Sequence, residues 1–341
     1  MKTSWMVALL ILSAQGAYSR QQRVHIGVLG LFHPREVVIS PVRDGTLHCL
    51  VGEDRLAVRE KLRVALTRRA ITILNSGRSA ETVACDDGAG GAVEFMAAVP
   101  GKLSRRYFGT LTVKSEEHEL VVIVTMELEI AVASIVAAES PPDAPMEALK
   151  AQAVAARSFL LAGKGRHADF DFCDTTHCQF LRQPPESGDP AFSAATATSG
   201  LVLAYRGEPL AAMYSASCGG RTHSLSELGI AARGYPYYAV DCKYCHEHPQ
   251  KWVTRIAASD AAGLAPTEAS RLQLARKLGW KSVPGNSYSS HSEGDQLVLE
   301  GTGVGHGIGL CQRGAAGMAR EGASFQQILE HYYPNTEVKP Y

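Results

Sequence analysis

Glu139-Ser-Pro-Pro-Asp-Ala-Pro-Met-Glu147-Ala-Leu-Lys-Ala-Gln152-Ala-Val-Ala-Ala-Arg157-Ser-Phe159 sets a lone carboxylate before two prolines and a run of alanine and other apolar residues. A residue before proline is driven out of the α region, so the short helix read over 127–138 must stop at Ser140. The next helix starts near Pro145, because proline tolerates a first-turn position. Leu149, Ala153, Ala156 and Leu160 then fall at helical spacing and predict one buried stripe. Upstream, 107–113 and 120–125 read as two strands joined by an acidic turn at Glu116 and Glu117. Further back, 23–31 alternates in strand fashion, and short strands are expected near 37–39, 47–51, 70–74 and 93–97. The basic run 55–69 is read as the solvated face of a helix. Downstream, Asp189-Pro190 opens a short helix, 201–205 and 210–217 form a hairpin, a helix covers 268–278 and a strand 296–300. Ser324-Phe-Gln-Gln327 is a capping box. Strands and helices mix without regular βα alternation, so the fold class is α+β. The expected organisation is an export signal over 1–19, a β-rich module over 20–100 and a second domain over 101–341.

The charge balance narrows the function. Lys plus Arg and Asp plus Glu both number 34 in 341 residues, so no global field favours nucleic acid. Lys2, the apolar run from Trp5 to Leu12 and the small residues Ser13, Ala14, Gly16 and Ala17 have the form of a secretory signal. The run is far short of the ~20 residues a spanning helix needs, so an exported, soluble chain is expected. All eight cysteines follow the signal, where an oxidising exterior permits disulfides.

From the residues alone, Glu139 is either a solvated helix-end carboxylate or a proton donor. The negative pole of a helix and apolar neighbours both raise its pKa. Glu147, in the first turn of the next helix with Lys150 nearby, suits a structural role. Arg157 either snorkels to solvent or reaches into the site to bind substrate. His167, Cys173, His177 and Cys178 offer a Cys2His2 set suited to tetrahedral zinc, against the alternative of a Cys173–Cys178 disulfide. Gly303, Gly305, Gly307 and Gly309 occupy every second position of a segment read as extended, leaving one face bare. His306 lies on the other face with Gln312, either as a satisfied core histidine or as a cleft residue. Cys218, Cys242, Cys245 and Cys311, with Cys49 and Cys85, have no connectivity readable from sequence. A bridge from Cys218 to Cys242 or Cys245 is expected, with Cys311 left to a remaining partner, and a redox or second metal site is the other reading.

These motifs resemble the SpoIID/LytB family, the stage II sporulation protein D and amidase-enhancer group of bacterial cell-wall proteins. The likeness rests on Glu-x-Pro at Glu139, the alanine-rich run from Glu147 to Arg157, Asp-Thr-Thr-His177-Cys178-Gln179, Tyr214-Ser-Ala-Ser-Cys218-Gly-Gly220, and Gly303-Val-Gly-His306-Gly-Ile-Gly-Leu-Cys-Gln312. The resemblance implies a peptidoglycan lytic transglycosylase with Glu139 as catalytic acid and base and Arg157 assisting. His306 and Gln312 are implied as substrate contacts or supports of Glu139. Zinc on His167, Cys173, His177 and Cys178 is implied as a structural brace. The family's other reading is a non-catalytic, wall-binding enhancer of an N-acetylmuramoyl-L-alanine amidase. Ser140 stands where the family pattern has methionine.

Overall fold

The computed structural model describes residues 22–68, 70–175, 177–231, 234–261, 265 and 267–341. The expected export signal lies outside these residues. Among them, no helix is long and apolar enough to cross a membrane.

The α+β expectation is met, with the first half of the chain given to a twelve-stranded sheet. Its main path runs Phe172–Cys173, Arg23–Val28, Glu119–Glu127, Leu103–Glu116, Val93–Val99, Glu36–Pro41, Leu62–Thr67, Ala70–Ile73 and Ser79–Ala80. The 14-residue strand Leu103–Glu116 changes partner at Gly109, pairing before it with Val93–Val99 and after it with Glu119–Glu127 and Thr82–Asp86. A Cβ at Gly109 would meet the Thr125 carbonyl at 2.4 Å, so only glycine lets the strand turn this corner.

The basic run departs from expectation: it forms strands Asp54–Val58 and Leu62–Thr67, not a helix. Arg55, Arg59, Lys61 and Arg63 share one parity, while Val58, Leu62, Val64 and Leu66 on the other parity are buried. That period of two belongs to a strand. The boundary expected at residue 100 falls in the turn between two paired strands, and one core runs from Val24 through Val136 to Val202. It therefore separates no two cores. Cys49 and Cys85 face each other on neighbouring strands and form a disulfide.

Strand Glu119–Glu127 leads directly into α1 (Leu128–Glu139), followed by α2 (Met146–Ala162), α3 (Pro190–Ala197), α4 (Lys243–Glu247), α5 (Glu268–Leu278), α6 (Gln312–Arg320) and α7 (Phe325–Tyr332). Ser140 is extended at φ −81° and ψ 148°, the conformation its proline neighbour imposes. Asp189 caps α3, and Ser324 and Gln327 form the expected capping box on α7.

Instead of one buried stripe, α2 has two. Leu149, Ala153, Ala156 and Leu160 pack into the sheet core, while Ala148, Ala151, Val154 and Ala155 pack into a second core with α6, α7 and the C-terminal strands. A helix buried on both faces must be thin, which explains its alanines. The hairpin expected over 201–217 is shorter: Leu201–Tyr205 pairs with Glu208–Pro209, and Tyr214–Ser215 instead pairs in parallel with Leu310–Cys311. A small three-stranded sheet (Lys251–Ala257, Gln296–Thr302, Ser287–Glu293) packs Ile256 and Leu299 with Leu274 of α5.

Candidate functional site

Glu139 is the last residue of α1, where four carbonyls lack helical partners. Its own carbonyl accepts from the Gln312 amide at 3.0 Å, a contact spanning 173 residues of sequence. Its carboxylate accepts from the Phe180 N–H at 2.7 Å. Burial pushes the carboxyl pKa above its ordinary value, opposed by the Phe180 hydrogen bond and the nearby Arg182 charge. The helix-end dipole adds to the upward push.

Among the described residues, seven buried side-chain polar atoms have no hydrogen-bond partner. Four of these belong to residues linked to Glu139 through sequence or a shared neighbour. Ser140 Oγ is next to it in sequence, and Gln152 Nε2 belongs to the side chain whose Oε1 meets Gln312 at 3.5 Å. Gln179 Oε1 adjoins Phe180, and Tyr214 Oη lies close enough to feel the Glu139 charge. Unpaired buried groups are costly and rare.

The loop that brings Phe180 to Glu139 is anchored to the sheet. Phe172–Cys173 pairs in parallel with Ile26 and Gly27, and a Cβ at Gly27 would strike the Phe170 ring at 2.5 Å. Asp174 is buried and accepts from Arg105 at 2.8 Å, while Asp171 accepts from the His25 N–H at 2.9 Å. On this base sit His167, Cys173, His177 and Cys178, their donor atoms all within 4.8 Å of one another. His167 Nε2 is 3.3 Å from Cys178 Sγ, and His177 Nδ1 lies 3.7 and 3.6 Å from the Cys173 and Cys178 sulfurs. Cys173 and Cys178 are not bonded to each other. Two sulfurs and two imidazole nitrogens so arranged match the donor set of a tetrahedral ion.

The other candidates fall differently. Arg157 neither snorkels nor lines the site. It is fully buried, and its guanidinium donates to Glu129 at 2.9 and 2.5 Å and to the carbonyls of Leu201 and Ala195 at 3.0 and 3.1 Å. It ties α1 and α2 to the end of α3 and the following strand. Glu147 pairs with Lys150 at 2.6 Å as expected and accepts from the first N–H of α7 at 2.8 Å, which keeps its pKa low. Gln312 supports Glu139 through its backbone, as described. His306 accepts from the Ile308 N–H at 3.0 Å, and burial lowers its pKa to about 4, so its ring is neutral. It also hydrogen-bonds the Tyr214 backbone.

The glycine segment is not extended. Gly303, Gly305, Gly307 and Gly309 all have positive φ, between 67° and 95°. A Cβ at Gly309 would meet the Met213 carbonyl at 2.0 Å. The alternation serves a left-handed zigzag against residues 213–218.

Phe180 and Arg182 were not singled out from sequence, and Gln152, Gln179 and Tyr214 stood in the quoted motifs without an assigned role. The one signal for Gln152 is an uncharged polar residue inside an otherwise apolar stretch of α2.

Residues 116–205 match the family model of the stage II sporulation protein SpoIID, a segment containing Glu139, Arg157 and the Cys2His2 set. An uncharacterized protein of Brachyspira hyodysenteriae is 28% identical over 270 residues, 69% of this chain and 73% of that protein. Stage II sporulation protein D of Bacillus subtilis is 27% identical over 260 residues, 62% of this chain and 74% of that protein. The amidase enhancer of the same organism is 24% identical over 282 residues, 60% of this chain but 39% of that protein. By the matched segment and these relatives, the chain is similar to the stage II sporulation protein D and amidase-enhancer proteins of the SpoIID/LytB family.

Proposed function

We propose that this is an exported lytic transglycosylase that cleaves peptidoglycan glycan strands between MurNAc and GlcNAc, with Glu139 as acid and then base. The observation that supports it is a half-buried carboxyl of raised pKa at a helix end, accepting from the Phe180 N–H and carried on a backbone held by Gln312. The protonated Glu139 gives its proton to the glycosidic oxygen as the C1–O bond breaks. The resulting carboxylate takes the proton of the MurNAc 6-hydroxyl as O6 bonds to C1. The product is a 1,6-anhydro end, no water is consumed, and Glu139 ends protonated again. One carboxylate serves both steps, unlike the two needed in ordinary glycoside hydrolysis. Phe180 N–H and Arg182 stabilise the intermediate carboxylate, and Gln312 fixes the backbone that carries it.

Mass spectrometry of purified glycan strands after incubation is expected to find anhydro-terminated fragments. The raised carboxyl must be protonated in the free enzyme, so kcat/KM should fall as pH rises through a value above 4.5. Reducing-end fragments, or activity that climbs with pH across the carboxylate range, would remove the mechanism. The amidase-enhancer relative supports a second reading. That reading predicts wall binding without glycan products and stimulation of an N-acetylmuramoyl-L-alanine amidase.

The Cys2His2 set is read as a closed structural zinc site, where the ion supplies rigidity rather than an open coordination position. His167, Cys173, His177 and Cys178 would fix the loop that presents Phe180 to Glu139. Cys173→Ser is then expected to lower stability by about 3 kcal/mol or more, because the binding free energy of a structural zinc is of order 10 kcal/mol and is folding free energy. Thermal melts and glycan assays should fall together. A Cys173–Cys178 disulfide found by peptide mapping of metal-replete protein rules the site out.

A further inference from the structure

We propose that Cys218, Cys242, Cys245 and Cys311 form a second metal centre, a buried tetrathiolate site for zinc. The proposal stands on sulfur geometry and is independent of the reaction at Glu139.

The disulfides expected among these residues are not formed: all four thiols are free, buried and within 4.8 Å of one another. The Cys245 and Cys311 sulfurs lie 3.5 Å apart. A tetrahedral zinc with Zn–S of about 2.3 Å places its sulfurs about 3.8 Å apart, whereas a disulfide brings them to about 2.05 Å. The cluster has the spacing of the first case. Elsewhere in the molecule Cys49 and Cys85 are joined, so the two kinds of cysteine site are distinct in one structure.

The surroundings suit thiolates. Cys311 Sγ accepts from the N–H groups of Cys218 and Gly314, both at 3.3 Å. The Tyr332 hydroxyl is 3.3 Å from Cys242 Sγ, and the Ser217 hydroxyl is 3.7 Å from Cys245 Sγ. Such outer donors orient ligands and offset their charge. Cys311 also caps α6, whose nine residues put a positive dipole end at the sulfur. Gly314 admits the cluster, since a Cβ there would sit 2.4 Å from Cys242 Sγ. A cavity of about 550 Å³ lined in part by Cys242, His246 and Tyr332 provides an entry path.

A metal here would join three segments that already share one core, with Cys242 N–H donating to the Gly220 carbonyl at 2.8 Å and Arg313 N–H to the Ala216 carbonyl at 3.2 Å. The parallel pairing of Tyr214–Ser215 with Leu310–Cys311 is only two residues long. Cys311 directly precedes Gln312, so the same clamp sets the residue that supports the Glu139 backbone.

The full chain, purified without chelator, is expected to carry about two zinc ions, matching the two donor groups. Cys173→Ser and Cys245→Ser should each retain about one. A variant that fails to fold does not stop the test, because cobalt exchange into the wild-type protein reads the same sites. Charge-transfer absorption should correspond to about six thiolates per chain, where the Cys2His2 set alone would give two. Alkylation of the denatured, chelated protein without reductant should label Cys218, Cys242, Cys245 and Cys311. One zinc per chain with these four cysteines refractory to alkylation until reduced would make them disulfides and overturn the proposal. Iron in place of zinc would overturn it too.

Discussion

Glu139→Gln is expected to lower the rate of glycan cleavage by about 10²–10⁴-fold while leaving the melting temperature unchanged or slightly raised. The loss follows from chemistry, because an amide supplies no proton to a leaving oxygen and takes none from a hydroxyl. The preserved stability follows from linkage. A carboxyl whose folded pKa lies above its unfolded value binds more protons in the native state, so stability falls as pH rises through that pKa. At neutral pH the ionised form therefore disfavours the folded chain, and a neutral side chain removes that penalty. The glutamine carbonyl oxygen still accepts from Phe180 N–H, and the Gln312 contact is to the backbone, so neither anchor depends on the charge. Thermal melts at two pH values and product assays on the same preparations decide the matter. A variant that cleaves glycan at the wild-type rate takes Glu139 out of the reaction. One that melts well below wild type would mean that the ionised carboxylate is a structural anchor.

Local chemistry was legible in the sequence where it acts over a few residues. The stop at Ser140-Pro141, the Asp189 cap and the Ser324–Gln327 box all follow from backbone sterics and nearby orphan groups. Alternation found most sheet strands but failed at 55–66, where basic residues at every second position were weighed by charge rather than by period. The polar strand Ser287–Glu293 carries almost no apolar residue and gave no signal. At the site, the Cys2His2 set was visible because its members lie within twelve residues. Gln312 as a support of Glu139 came only from the family resemblance, and Cys218, Cys242, Cys245 and Cys311 were left between disulfides and a second metal site, because contacts spanning 173 and 93 residues are set by tertiary packing. The glycines misled for a physical reason: a period of two fits an extended strand and equally a zigzag that returns to positive φ at every second residue.

Arg157 is where the site expectation and the structure part most sharply, and there the expected effect is on stability. Arg157→Met should destabilise the fold by about 3–5 kcal/mol, the usual cost of removing one partner of a buried ion pair. The side chain has no exposed surface, and its loss strips Glu129 of a two-point contact and the Ala195 and Leu201 carbonyls of their donor. Glu129 keeps some solvent access at 32% side-chain exposure and retains the Gly200 N–H at 3.3 Å, which holds the cost to that range. Arg157→Lys should recover only part of it, since an ammonium cannot span two carboxylate oxygens and two carbonyls with a planar fork. Urea unfolding of both variants measures the loss directly. KM for glycan should change little in whatever fraction stays folded, because no atom of Arg157 is exposed to meet a sugar. If Arg157→Met melts with wild type but raises KM or lowers kcat, the guanidinium reaches substrate in solution and its place is the catalytic site.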